Sequence, residues 1–88
     1  MQINQDFTIQ KVGGSYVAVA VGETSKKFHG MIRLNETGAF LWKRMAERDT
    51  TEEELVDALL AEYEIDRNTA AEDVRRMIES LRAYPIFL

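Results

Sequence analysis

The chain has 88 residues, of which 45% are apolar and 30% are charged, and it contains no cysteine. This length predicts a single domain over residues 1–88 with a small core, and the absence of thiols excludes disulfides, thiolate metal sites and cysteine catalysis. The formal charge of −4 disfavours general binding of nucleic acid, and the lack of a leader or a long apolar run predicts a cytoplasmic protein that binds no membrane.

Charge is distributed unevenly along the chain. Residues 1–34 carry four basic and two acidic side chains, whereas residues 35–88 carry seven basic and thirteen acidic ones. Because complementary charge favours association, the first part of the chain is suited to an acidic partner.

The first third of the chain has the pattern of β structure. Residues 7–12 and 16–21 are rich in β-branched and aromatic side chains, and Gly13 and Gly14 separate them. This arrangement predicts a hairpin with a tight turn. Residues 22–30, bounded by glycines, predict a longer hairpin loop that leads into a third strand.

The third strand is predicted over Met31–Leu34. Side chains alternate along a strand, so Ile32 and Leu34 should lie on one face and Met31 and Arg33 on the other. If this strand forms the edge of the sheet, its unpaired backbone groups can receive another chain as an added strand. We expect Ile32 to present a backbone donor at this edge.

A helix is predicted directly after the third strand. Asn35 is a favoured N-cap, which would accept from the backbone N–H of Thr37 or Gly38, and the helix should end near Glu47. Its apolar stripe should lie over the sheet, with Trp42 on a flank. The stripe comprises Phe40, Leu41 and Met45.

Two more helices complete the chain. Thr51 and Glu54 form the pattern of a capping box at the start of one, and the next should begin after Asp66 and end before Pro85. The core stripe predicted for this last helix is Ala70, Val74, Met77 and Leu81. The apolar tail, residues 86–88, should pack back onto the body. The order predicts an α+β, winged-helix-like fold with a three-stranded antiparallel sheet followed by three helices.

The sequence offers little for catalysis. His29 is the only histidine, and no nucleophile elbow or phosphate-binding glycine loop is present. The clustered carboxylates around Glu52–Glu54 match the dipole at a helix start rather than a metal loop. We therefore expect no enzymatic activity, no cofactor and no metal.

A second stripe on the last helix indicates a binding surface. It widens the apolar face on one flank and consists of Ala71, Arg75, Ile78 and Arg82. One interpretation is a groove wall opposite the third strand, with apolar residues as its floor and two arginines at its edge, suited to an extended peptide. The alternative is the solvated border of the core.

Two other functions remain open. A winged helix that reads DNA would need a basic reading helix, but its arginines are offset by acidic side chains able to pair with them, as in Glu72 with Arg76 or Arg75 with Glu79. A plain interaction module, such as a homodimer formed through the same strand edge, is the other alternative.

Residues 34–42, Leu-Asn-Glu-Thr-Gly-Ala-Phe-Leu-Trp, followed by residues 51–55 and 71–74, resemble the PqqD family, whose relatives are also called RiPP recognition elements. The ending departs from the family pattern, since Tyr84 and Pro85 stand in place of a glycine-containing turn. The resemblance implies a winged-helix-like peptide chaperone. Such a protein binds the leader segment of a ribosomally made precursor peptide and presents it to a modifying enzyme, often of the radical S-adenosylmethionine type.

The resemblance also implies where the leader binds. It adds as a strand beside the third strand and against the third helix, which coincides with the groove predicted from strand alternation and helix spacing. The peptide-binding residues expected on this basis are Met31, Ile32, Arg33, Val74, Arg75, Ile78 and Arg82.

Overall fold

In the computed structural model, which describes residues 1–88, three strands precede three helices, as predicted. The elements are β1 (Phe7–Val12), β2 (Ser15–Ala20), β3 (Met31–Leu34), α1 (Glu36–Glu47), α2 (Glu52–Glu62) and α3 (Arg67–Leu81). The segment predicted as a hairpin loop differs in detail, because Gly22–Lys26 forms a short 3-10 helix.

The sheet is an antiparallel meander in the order β1-β2-β3, so β3 lies at an edge. Gly13 has a φ of 63°, a left-handed conformation that glycine adopts without strain and that closes the two-residue turn between β1 and β2. The register pairs Val12 with Ser15 across this turn and Ala18 with Ile32 between β2 and β3.

One face of the sheet packs against the helices. Ala18, Ile32 and Leu34 are buried there, as strand alternation predicted for the β3 pair. Sixteen buried side chains form one core. The opposite face of the sheet is more open, and Met31 on that face is 67% exposed.

Helix α1 begins as predicted, because the side-chain oxygen of Asn35 accepts from the backbone N–H of Gly38 at 2.7 Å. The buried side of α1 includes Trp42 rather than Phe40. Trp42, expected on a flank, is only 2% exposed, whereas Phe40, expected in the stripe, is half-buried and packs edge-on against Tyr63. Trp42 is therefore a central core residue.

The other two helices also begin at their predicted positions. The Thr51 hydroxyl accepts from the N–H of Glu54, and the Glu54 carboxylate accepts from the N–H of Thr51, which completes the capping box. Asp66 caps α3 by accepting from the N–H of Thr69 at 2.8 Å. These hydrogen bonds to Thr69 lower the pKa of the Asp66 carboxyl below its ordinary value.

The two ends of the chain meet, a contact that the sequence did not reveal. Ile3 is fully buried and forms an isolated antiparallel bridge with Phe87. The N–H of Ile3 donates to the carbonyl of Met45, and the N–H of Asn4 donates to the carbonyl of Ile86. The predicted return of the apolar tail onto the body is confirmed for Ile86, which is fully buried, whereas Leu88 is 79% exposed.

A chain of aromatic contacts joins the segment after β2 to the core. Phe28 lies between Phe7 and Tyr84, with ring centroids 6.2 Å and 5.7 Å away. Phe7 in turn meets Trp42 edge-on at 5.4 Å. The edge-on contact with Phe28 gives Tyr84, part of the unusual Tyr-Pro ending, a packing role.

Candidate functional site

A surface cavity of ≈ 330 Å³ lies where β3 ends, between the start of α1 and one side of α3. We call it the β3–α3 cavity. Its lining residues are Arg33, Leu34, Asn35, Thr37, Gly38, Leu41, Asp73, Arg76, Met77 and Ser80. The cavity thus adjoins the strand edge at which the sequence predicted peptide binding.

The hydrogen-bond pattern of the sheet determines which backbone groups of β3 are free. In an antiparallel pair, alternate residues direct both their N–H and C=O to the partner strand, and the residues between them direct both away. The N–H of Val21 donates to the carbonyl of Asp6, so odd-numbered residues of β2 bond to β1. Even-numbered residues of β2, Tyr16 and Ala18, therefore bond to β3.

This alternation carries into β3 through its register. Tyr16 pairs with Leu34 and Ala18 pairs with Ile32, so Ile32 and Leu34 use their backbone groups within the sheet. The N–H and C=O of Met31 and Arg33 point to the open edge. The expectation that Ile32 presents a donor at this edge was wrong, because its backbone bonds inward.

The side of α3 that lines the cavity differs from the predicted one. A residue advances about 100° around an α-helix, so relative to the buried Val74 the predicted stripe Ala71, Arg75, Ile78 and Arg82 lies toward one flank. The cavity residues Asp73, Arg76, Met77 and Ser80 lie toward the opposite flank. The predicted stripe therefore does not line the cavity, which is bounded by the other flank of α3.

Individual residues of the predicted wall lie as follows. Val74 and Ile78 are 1% and 2% exposed and belong to the core. Arg75 is exposed but does not line the cavity. Arg82 caps the end of α3 and lines a separate cavity with Met1, Phe87 and Leu88.

On the strand side, Ile32 is 4% exposed and belongs to the core, whereas Met31 and Arg33 are exposed. Arg33 is the only one of the seven predicted peptide-binding residues that lines the β3–α3 cavity. A role in peptide contact stays a prediction for all seven.

No sequence signal distinguished the two flanks of α3. Met77 was assigned to the core stripe in place of Ile78, and the two residues are adjacent and both apolar. The structure buries Ile78 and leaves Met77 half-buried in the cavity. Sequence spacing fits either choice, so the rotation of the helix depends on its packing against α2 and the sheet.

The charged side chains that α3 brings to the cavity are Asp73 and Arg76, while Arg33 lines it from a strand position whose side chain lies on the outer face of the sheet. Arg76 lies 3.8 Å from Asp73, a long and exposed contact that contributes little energy. The expected pair of Arg76 with Glu72 is not formed, so the Arg76 guanidinium can turn to an incoming carboxylate.

The junction of β3 and α1 explains the Asn-Glu-Thr-Gly pattern. A Cβ at position 38 would lie 2.9 Å from the Asn35 side-chain oxygen and 3.5 Å from the Leu34 Cβ. Glycine at 38 therefore leaves room for the carboxamide that caps the helix. This cap fixes the direction in which α1 leaves the cavity.

Gly38→Ala is expected to lower the free energy of unfolding by about 1 kcal/mol, because displacing the Asn35 cap outweighs the better helix propensity of alanine. In an Asn35→Ala background the same change should instead be neutral or stabilising. Urea unfolding of the four proteins of this double-mutant cycle measures the coupling. Equal effects of Gly38→Ala in both backgrounds would contradict this account.

No side chain with a shifted pKa lines the cavity. Burial, followed by the charge of Glu36, raises the pKa of the Tyr63 phenol, but neither Tyr63 nor Asp66 lines the cavity. No three histidine or carboxylate side chains are grouped to hold a metal ion. None of the helices is long and apolar enough to cross a membrane.

Comparisons with known proteins identify the family and the fold. The family model described as Coenzyme PQQ synthesis protein D (PqqD) matches residues 16–85. A solved structure described as TbiB1 in complex with the TbiA(beta) leader peptide is 26% identical, with a TM-score of 0.68, and the match covers 94% of this chain and 90% of that chain. No protein of curated function matches the chain.

A second solved structure, described as lasso peptide synthetase B1 complexed with the leader peptide, is 20% identical with a TM-score of 0.68. The match covers 99% of this chain and 95% of that chain. At this identity the likeness shows the fold alone, and it confirms the winged-helix-like α+β architecture.

Proposed function

Since the chain belongs to the PqqD family, we propose that it is a non-catalytic peptide chaperone that binds the leader segment of a ribosomally synthesised precursor peptide. The leader adds as a strand to β3 and lies over the β3–α3 cavity. The chaperone then presents the precursor to a modifying enzyme, for which a radical S-adenosylmethionine enzyme is one candidate. Both structural relatives described above hold a leader peptide, which supports this proposal.

The observation that carries the proposal is the free edge of β3 beside a cavity. Four backbone groups, the N–H and C=O of Met31 and Arg33, are unpaired within the sheet and can bond to an added strand. Next to them the cavity offers the apolar surface of Leu34, Leu41 and Met77. An extended peptide can use both at once, through its backbone and through alternate side chains.

DNA binding, the main alternative, gains no support. On α3, Arg67 pairs with Asp57 at 2.8 Å, and Glu72, Asp73 and Glu79 offset the charge of the other arginines of the helix. Both structural relatives are peptide complexes. The acidic net charge of the chain adds to the electrostatic cost of approaching a duplex.

Residue-resolved hydrogen exchange tests strand addition directly. Leader peptides tiled from short reading frames of the source genome would be titrated into the protein. Binding at the β3 edge should slow exchange of the Met31 and Arg33 amides and leave the Ile32 and Leu34 amides, which are already bonded, unchanged. Binding that protects none of the β3 amides would overturn the proposal. If exchange of the Met31 and Arg33 amides is already slow without peptide, and slows further as the protein concentration rises, β3 instead pairs with a second copy of the chain.

Two adjacent arginines provide a matched test of the helix side of the site. Arg76→Glu reverses a charge at the cavity and is expected to weaken leader binding about tenfold, as for a close charge at an interface. Arg75→Glu makes the same change on the opposite flank and should leave affinity within about twofold. Calorimetric titration of both variants measures the difference. The reverse order of effects would assign the binding wall to the flank predicted from sequence.

A further inference from the structure

The outer face of the sheet, turned away from the helices, lacks any acidic side chain. Residues that pair across strands share a face, so the register defines this surface. Its members are Thr8, Gln10, Val12, Ser15, Val17, Val19, Met31 and Arg33. Arg33 is the only charged residue among them.

Arg33 has no ionic partner in the structure. None of the five ion pairs involves it, and its neighbour in β2 is Val17. On its other side lies the open edge, where the backbone of Arg33 points outward. A strand added at this edge would place one residue directly opposite Arg33 and on the same face.

The residue opposite Arg33 thus meets an unpaired guanidinium beside valine side chains. Opposite charges in directly facing positions stabilise a strand pair, and like charges destabilise it. Arginine also matches a carboxylate in shape, because it can donate two parallel hydrogen bonds. The facing position therefore favours aspartate or glutamate and disfavours lysine and arginine.

The peptide residues on either side of this position point to the helix face, because side chains alternate. On that face, the peptide residue closest to Leu34 meets the β3–α3 cavity, whose apolar lining is Leu34, Leu41 and Met77. The volume of ≈ 330 Å³ admits one large side chain. That position favours an apolar residue such as leucine or an aromatic.

We infer that the peptide recognised by this chain has an acidic residue placed opposite Arg33 and an apolar residue immediately beside it that enters the β3–α3 cavity. This inference rests on the proposed function and specifies its ligand. Arg33 is then the residue that selects the acidic side chain. Because side chains alternate along a strand, the acidic residue and the apolar residue occupy adjacent positions in the peptide.

Selection from a displayed library of short random peptides tests the inference without a known ligand. The native protein should enrich peptides in which an acidic residue is next to a large apolar one. Arg33→Glu should enrich a basic residue at the acidic position and keep the apolar one. Lys43→Glu makes the same charge change at an exposed position on α1 outside the cavity and should leave the selected pattern unchanged.

Affinity measurements on one selected peptide complete the test. Replacing its acidic residue by lysine should weaken binding to the native protein about tenfold, and Arg33→Glu should reverse that preference. Arg33→Gln, which removes charge only, should abolish the preference. Enriched peptides without an acidic residue, or a preference unaffected by Arg33→Glu, would overturn the inference while strand addition stands. No enrichment of any peptide would overturn the proposed function as well.

Discussion

Arg33→Pro is expected to abolish peptide binding while the protein stays folded. The N–H of Arg33 points to the open edge of β3, so proline removes a donor that only an added strand would use, and its ring occupies the space of that strand. Arg33→Ala removes the side chain but keeps the donor. We expect Arg33→Pro to bind at least about tenfold more weakly than Arg33→Ala, because the proline variant loses a backbone hydrogen bond to the peptide and its ring displaces the added strand.

Ile32→Pro, one position earlier, should unfold the protein, whereas Arg33→Pro should leave it folded. Its N–H bonds to β2, and its side chain is in the core. The change leaves a buried acceptor unpaired, at about 1–3 kcal/mol, and removes a core side chain, at about 2–5 kcal/mol. Circular dichroism should show Ile32→Pro unfolded and Arg33→Pro folded. A folded Ile32→Pro that fails to bind would mean that the alternation along β3 is offset by one residue.

Trp42→Ala is expected to remove about 3–5 kcal/mol of stability. Trp42 is 2% exposed, among the largest fully enclosed core side chains, and meets Phe7 edge-on at 5.4 Å. A chain of this length has about 4–13 kcal/mol in total, so the variant should be largely unfolded near body temperature. Thermal unfolding followed by circular dichroism measures the effect.

Lys43→Ala is the matched control for Trp42→Ala, because it is the next residue of the same helix and is exposed. It should change the free energy of unfolding by no more than about 0.5 kcal/mol. Comparable losses in the two variants would show that α1 is sensitive to any truncation. In that case the edge contact of Trp42 with Phe7 would have no special weight.

Local patterns in the sequence were sufficient for the elements. Asn35 and Thr51 were predicted as caps and the last helix was predicted to begin after Asp66, and each of these three side chains accepts a backbone hydrogen bond at its helix start. Caps depend on residues three positions apart, so a linear reading captures them. The alternation of Ile32 with Arg33 likewise follows from neighbours in sequence.

Contacts between distant segments could not be predicted from such local patterns. The bridge between Ile3 and Phe87 joins residues at the two ends of the chain, and neither carries a local signal for the other. The rotation of α3 that exposes Met77 and buries Ile78 is set by packing against several elements at once. The candidate site combines both cases, since the outward side chain of Arg33 follows from local alternation, whereas the flank of α3 that faces the cavity does not.

The brevity of β3 limits how long a guest can stay. Its open edge offers four backbone groups, and at a net of about 0.5–1.5 kcal/mol each they supply about 2–6 kcal/mol, short of the roughly 8 kcal/mol that a micromolar complex requires. Side chains must contribute the difference, so a precursor whose pattern does not match should dissociate rapidly. An edge this short can release a bound peptide without a dedicated ejection step.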